Sequence, residues 1–252
     1  MSTEQTEAIV LRVVEFSETS LIVTLYTRHF GRLSALAKGA RRPKGPFEGA
    51  LDLLACSRIV VICKSSDALD LLTEAKLQRR FRAGQTSLIR LHCGYYVAEL
   101  LRMWTENGVA SEELFDLMTR TIETIDGDGD ALTAVLDFEL RAMRLLGNAP
   151  ATDACVGCGG AIESAGARVP FAYQLGGVLC PACRGGQREV ASVRRGVIDQ
   201  IAVRQRSQKP LSGPLAASDY RDLRAVVGRY VCTTLGMAPR TQSLLPANWV
   251  AH

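Results

Sequence analysis

Cys155, Cys158, Cys180 and Cys183 form two Cys-x-x-Cys pairs separated by 21 residues. Two thiolates three positions apart on a tight turn supply half of a tetrahedral shell, so two such pairs predict a structural zinc site. Glycines fall where the backbone must curl round a metal, in Cys155-Val156-Gly157-Cys158-Gly159-Gly160 and in Cys180-Pro181-Ala182-Cys183-Arg184-Gly185-Gly186. A shell of four thiolates leaves no position for water or substrate, so one Zn²⁺ here is expected to fold a segment rather than to catalyse. Residues 151–190 hold few large apolar side chains (Ile162, Phe171, Tyr173, Leu175 and Leu179), and metal binding would supply the free energy such a small core lacks. A pair of disulfides, or thiols that hold no metal, is the competing assignment, and nothing else about the chain looks secreted.

A second chemistry is written in basic residues. Residues 28–44 carry Arg28, Arg32, Lys38, Arg41, Arg42 and Lys44 and no acid. The part Lys38-Gly39-Ala40-Arg41-Arg42-Pro43-Lys44 has the glycine and proline punctuation of a loop, from which arginines can reach successive phosphates. Lys76, Arg79, Arg80 and Arg82 make a second cluster. The candidate nucleic-acid residues are therefore Arg28, Arg32, Lys38, Arg41, Arg42, Lys44, Arg79, Arg80 and Arg82, against the alternative of a solubilising surface. Tyr26, Phe30 and Phe47 flank the run and are candidates to stack on bases, with Tyr26 equally suited to a strand core.

Catalysis has little support. His29, His92 and His252 are expected to be structural. No Walker-type phosphate loop and no Gly-x-Ser-x-Gly elbow occurs, and the cysteine pairs lack a thioredoxin-like context. The alternating aspartates of residues 126–130 invite a calcium loop, but no glutamate closes a 12-residue frame. The chain is expected not to be an enzyme.

The elements that must position these groups change character along the chain. Segments 8–14, 20–27, 32–38, 50–55, 58–64 and 69–76 are short and largely apolar, the second rich in β-branched residues, which predicts five or six strands and a small closed barrel. From Gly84 the period becomes helical: Leu88, Leu91, Tyr95 and Ala98 share one face, ending at Asn107-Gly108. Ser111 is placed to cap a second helix, and a third closes at Gly147 with Pro150 beyond. Helices over 193–204 and 218–235 follow the metal segment. The expected fold is α+β: a β-barrel domain over 1–80, then an α-helical domain over 81–252 interrupted by a four-cysteine zinc-binding insertion at 151–190.

The net charge is +4, unevenly spread. Residues 1–82 hold 13 Lys/Arg against 9 Asp/Glu, residues 83–150 hold 5 against 11, and residues 151–252 hold 12 against 6. A polyanion is drawn to the ends and repelled by the middle. Cys56, Cys63, Cys93 and Cys232 lie in apolar stretches and are expected to be packed as small hydrophobes. With no secretory pattern and no apolar run long enough to span a membrane, a reducing cytoplasmic location is expected.

The chain resembles the RecO family of bacterial recombination mediators. Residues 19–43, ending in Ala37-Lys38-Gly39-Ala40-Arg41-Arg42-Pro43, followed by Gly49-Ala50-Leu51, resemble that family's N-terminal barrel. Leu145-Leu146-Gly147-Asn148-Ala149-Pro150 running into Cys155, and Gly176-Gly177-Val178-Leu179-Cys180, are similar to its zinc region. The resemblance implies an OB-fold barrel and a non-catalytic DNA repair protein associated with the nucleoid. Such a protein binds single- and double-stranded DNA, anneals complementary strands and, with RecR, helps load RecA onto DNA covered by single-strand-binding protein, whose acidic C-terminal tail it recognises. By position, Lys38, Arg41, Arg42 and Lys44 would belong to the DNA surface and the four cysteines to the zinc. Leu235-Gly236 is followed by only one basic residue, Arg240, where the family usually carries a basic stretch. The tail is expected on a groove rimmed by Arg194, Arg195, Arg204, Arg206, Arg221, Arg224 and Arg229. A zinc-containing OB-fold RNA-binding or regulatory protein is the alternative.

Overall fold

The computed structural model describes residues 2–42, 45, 47, 49–64, 69–162, 166–207 and 215–246. Lys44 and His252 lie outside them. The chain divides into two compact units, residues 1–129 and 130–252.

The first unit opens with β1 (Ser2–Glu15), β2 (Leu21–Thr27), β3 (Gly31–Ala37), β4 (Cys56–Cys63) and β5 (Asp70–Arg79). β1 is long enough to serve two partners. Its first half pairs antiparallel with β4 and its second half with β2, with a bulge between Val10 and Arg12. Three parallel pairs, 35–37 with 70–72, join β3 to β5 and close the ring in the order β1-β2-β3-β5-β4. Small residues at interior positions allow so tight a ring: Ala8, Ala35, Ala37 and Ala75 alternate with Val10, Val23, Leu25, Ile59, Val61 and Leu72.

Segment 50–55 is not the strand its composition predicts. It is a chain of turns, in which the Ala50 N–H donates to Phe47 and the Ala55 N–H to Asp52. Ala50, Leu51 and Ala55 pack with Phe47 into the barrel core, so their apolarity serves a plug rather than a sheet. Leu54 turns left-handed (φ 65°) and joins the β1 bulge, donating to the Val10 carbonyl at 2.9 Å.

α1 (Leu88–Trp104) and α2 (Glu112–Asp126) complete the unit. Ser87 caps α1 through the Arg90 N–H, and Ser111, the cap expected from the sequence, caps α2 through the Leu114 N–H at 3.2 Å. Gly94 on α1 lets Leu54 approach; a Cβ there would lie 2.5 Å from its Cδ1. Two of the aspartates of 126–130 are caps. Asp126 accepts the Arg82 and Ala83 N–H groups at 2.6 Å, and Asp130 starts the next helix by accepting from Leu132 and Thr133 at 3.0 and 3.1 Å.

The second unit is built on α3 (Ala131–Leu145), buried at every position from 131 to 143. Between α3 and the later helices runs a three-stranded sheet of β6 (Arg168–Ala172), β7 (Gly177–Val178) and β8 (Val190–Arg194), in the order β7-β6-β8. The helix expected from 193 begins two residues later, as α4 (Arg195–Arg206), because 190–194 pair with β6. α5 (Ala217–Leu235) ends at Gly236, which takes the left-handed conformation (φ 69°). Asp137 and Glu139 of α3 are buried and paired, Asp137 with Arg204 of α4 at 2.5 Å and Glu139 with Arg224 of α5 at 2.7 and 2.8 Å. Among the described residues no helix is long and apolar enough to cross a membrane.

Candidate nucleic-acid groove and metal centre

The basic residues sort into two groups. Arg12 of β1 and Arg41 and Arg42 of the β3–β4 connection line one groove of about 690 Å³, together with Val13, Leu21, Ala40, Phe47, Gly49 and residues 51–53. Asp52 is the acid on its wall. Arg80 joins this edge: its guanidinium lies 3.5 Å from Asp52 and over Gly49, where any Cβ would collide with it. Lys38 is exposed on the turn that begins the same connection. Backbone bonds fix the loop, Arg41 donating to the Thr19 carbonyl and Arg42 to that of Gly39, both at 3.0 Å. Arg41 also pairs with Glu15 at 3.1 Å.

Arg28, Arg32 and Arg79 are engaged within the first unit. Arg28 donates to Glu7 at 2.8 Å and to Asp116 at 2.9 Å and lies 4.6 Å from the centre of the Phe115 ring. The Glu7 bond, opposed by partial burial and reinforced by Asp116, raises its pKa. Arg32 donates to Asn107 at 2.9 Å and to the Arg102 carbonyl; burial, with the like charge of Arg102, lowers its pKa. Arg79 faces Glu123 at 3.9 Å, and Arg82 is exposed. The contiguous run thus separates: arginines on strand ends fasten barrel to helix, and those in the loop face the groove.

Of the expected stacking residues, Tyr26 is fully buried and Phe47 nearly so, while Phe30 packs partly buried against the barrel core. Burial pushes the Tyr26 phenol up to about 12. Arg12 escaped the sequence reading because it stands alone among apolar neighbours. Its only signal was an exposed place in a strand, at the β1 bulge.

The four cysteines converge. Their sulphurs all lie within 4.8 Å of one another, and Cys158 and Cys180 stand 3.9 Å apart, close to the ~3.8 Å separation that metal–sulphur bonds of about 2.3 Å impose on a tetrahedron. Two knuckles present them. In the first, the Gly159 N–H donates to the Cys155 carbonyl and the Cys155 N–H to Gly160, both at 2.8 Å; in the second, the Cys183 N–H returns to Cys180. Gly157 sits in a crowded place, where a Cβ would stand 3.0 Å from that of Cys183.

Four thiols this close shift one another's ionisation. The Cys180 N–H at 3.2 Å leads the effects that lower Cys155 to about 6, while the sulphurs of Cys180, Cys158 and Cys155 push Cys183 up to about 12. Such neighbours ionise together only around positive charge. The apolar support is small: Cys155, Ala172 and Leu179, with Val156, Ile162 and Val190 packed against them. The donor set fits a metal ion held by four thiolates.

The arginines of the later helices expected to rim a groove are each paired with an acid, two of them in the interior. Arg204 and Arg224 are buried in their pairs with Asp137 and Glu139. Arg194 pairs with Asp222 and Asp219, Arg195 with Asp199, Arg206 with Asp153, Arg221 with Asp222, and Arg229 with Glu189.

Fold and site define a class of two-unit α+β protein, in which a small barrel with an arginine-lined groove precedes a helical unit carrying a four-thiol module. The family model described as Recombination protein O N terminal matches residues 1–81, and that described as Recombination protein O C terminal matches residues 85–243. The chain belongs to the RecO family of DNA repair proteins. It is 43% identical to the DNA repair protein RecO of Rhodopirellula baltica, over 95% of this chain and 97% of that one. It is 31% identical to the DNA repair protein RecO of Symbiobacterium thermophilum, over 90% and 92% of the two chains.

Proposed function

We propose that this chain is a non-catalytic recombination mediator that holds single- and double-stranded DNA along the barrel groove. The convergence of Arg12, Arg41 and Arg42 on one groove, with Lys38 and Arg80 beside it, carries this reading. Such a row of cations, only partly offset by Asp52 and by Glu15, which pairs with Arg41, suits a sugar–phosphate backbone and selects no base sequence. The strand order supports an OB-fold, the architecture that uses this kind of surface for oligonucleotides. On this reading residues 1–80 are the nucleic-acid-binding domain, and residues 81–252 are a helical domain with its zinc-binding segment at 151–190.

Zn²⁺ is the metal proposed for Cys155, Cys158, Cys180 and Cys183, as a closed structural centre. When bound it neutralises the thiolates and ties the two knuckles together, so that residues 151–190 fold over their small core.

Family membership supports the finer activities: annealing of complementary strands, cooperation with RecR in loading RecA, and recognition of the acidic tail of single-strand-binding protein. The test is strand annealing with and without single-strand-binding protein. Faster annealing of covered strands than without the chain is expected, and no acceleration contradicts the proposal. Labelled DNA incubated with Mg²⁺ should remain intact. Equal affinity for RNA and DNA would favour the alternative of an RNA-binding protein.

A further inference from the structure

Phe16 stands out among the described aromatic residues. It is 60% exposed, at the turn between β1 and β2. A single exposed apolar residue is ordinary, so its surroundings decide what it means. The turn is closed on itself: the Phe16 N–H donates to the Ser20 carbonyl at 3.0 Å, and Ser17 and Ser20 exchange further bonds at 3.3 and 3.4 Å. It is also fastened to the basic loop at three points. The Thr19 carbonyl accepts the Arg41 N–H at 3.0 Å, Glu15 pairs with the Arg41 guanidinium at 3.1 Å, and the Ser20 hydroxyl accepts from the Gly39 N–H at 3.5 Å. An exposed aromatic ring is therefore carried by a turn that is tied through Thr19, Glu15 and Ser20 to the loop holding Arg41 and Arg42.

The charges around the ring decide what it can meet. Glu15 and Glu18 flank it, and Glu15 is balanced by Arg41. Phosphates are drawn to Arg12, Arg41 and Arg42 and away from the turn itself, whereas the uncharged face of a base is not repelled there. We infer that Phe16 is a stacking platform for an unpaired base, and that it makes the groove favour single-stranded DNA over duplex. A duplex keeps its base faces inside the helix and offers none to the ring; a single strand held by the arginines can lay one on it. This rests on the reading of the groove as the DNA site, and it assigns to Phe16 the role that the sequence offered to Tyr26, Phe30 and Phe47.

The test uses the full-length chain, Phe16→Ala and Phe16→Trp, with fluorescence anisotropy on a labelled thymine oligonucleotide and on a duplex of the same length. Phe16→Ala should weaken single-strand binding on the order of tenfold, the scale of one lost base stack, while duplex affinity changes less than about twofold. Phe16→Trp should retain single-strand affinity, and its emission should be quenched by the oligonucleotide and not by the duplex. Equal loss on both substrates, unchanged single-strand affinity, or a tryptophan indifferent to the oligonucleotide would each overturn the assignment of Phe16. If the unaltered chain binds neither substrate, the reading of the groove fails first, and the role of Phe16 with it.

Discussion

Arg224 grips Glu139 through two N–H···O bonds, at 2.7 and 2.8 Å, with the carboxylate wholly shielded from solvent and the guanidinium nearly so. The pair joins α5 to α3 in the middle of the helical unit. Truncating one partner strands a buried charge, a loss of about 3–5 kcal/mol. Arg224→Ala is expected to lower the unfolding free energy of this unit by that amount in urea titrations. A change below about 1 kcal/mol would mean that Glu139 finds water or another cation.

The metal centre is expected to hold one Zn²⁺ per chain by elemental analysis of freshly purified protein. Cys158→Ser should abolish that stoichiometry and forfeit much of the roughly 10–16 kcal/mol that zinc contributes to small modules. Proteolysis should then open within residues 151–190, while the barrel, in the other compact unit, stays resistant. Protein without zinc, or a Cys158→Ser chain that keeps it, would contradict the assignment.

Gly49→Ala tests how the groove is built. Gly49 is left-handed (φ 66°), and the Arg80 guanidinium occupies the space a Cβ would need. The substitution should cost about 1 kcal/mol or more of stability, from backbone strain, and weaken DNA binding by displacing Arg80. Unchanged stability together with unchanged binding would show that Arg80 has an equivalent place elsewhere.

Tyr26 gives the first unit an alkaline limit. Burial raises its phenol from 10.0 to about 12. The unfolded chain therefore releases this proton first, and the stabilisation present below pH 10 is lost as the pH climbs from 10 toward 12. Urea midpoints should fall across that window, and Tyr26→Phe should flatten the fall. An identical pH profile in the variant would show that the phenol ionises freely in the folded state.

Much of this was legible in the sequence because local rules suffice where neighbours in the chain act together. The Cys-x-x-Cys spacing pointed to the cysteine cluster, Ser111 to its helix cap, and the short apolar runs to four of the five barrel strands closely. Residues whose role depends on distant partners were illegible. Segment 50–55 has the composition of a strand, yet its apolar side chains plug the barrel, and only tertiary packing distinguishes the two. The strands β6 to β8 pair across loops within a glycine-rich segment, which hides their short alternation. Arg28 and Arg42 look alike in a basic run; Glu7 and Asp116 claim the first and leave the second to the groove.

We propose Arg12, Arg41 and Arg42 as the phosphate-binding surface. The most direct measurement is single-strand affinity over a range of salt, for the unaltered chain and for the triple substitution Arg12→Ala, Arg41→Ala and Arg42→Ala. Each phosphate contact contributes roughly 0.7 to the log–log salt slope on single strands, so four or five contacts predict about −3 to −3.5. Removing three should make the slope shallower by about 2 while the fold is kept. An affinity independent of salt, or a triple variant with the slope of the unaltered chain, would contradict the account.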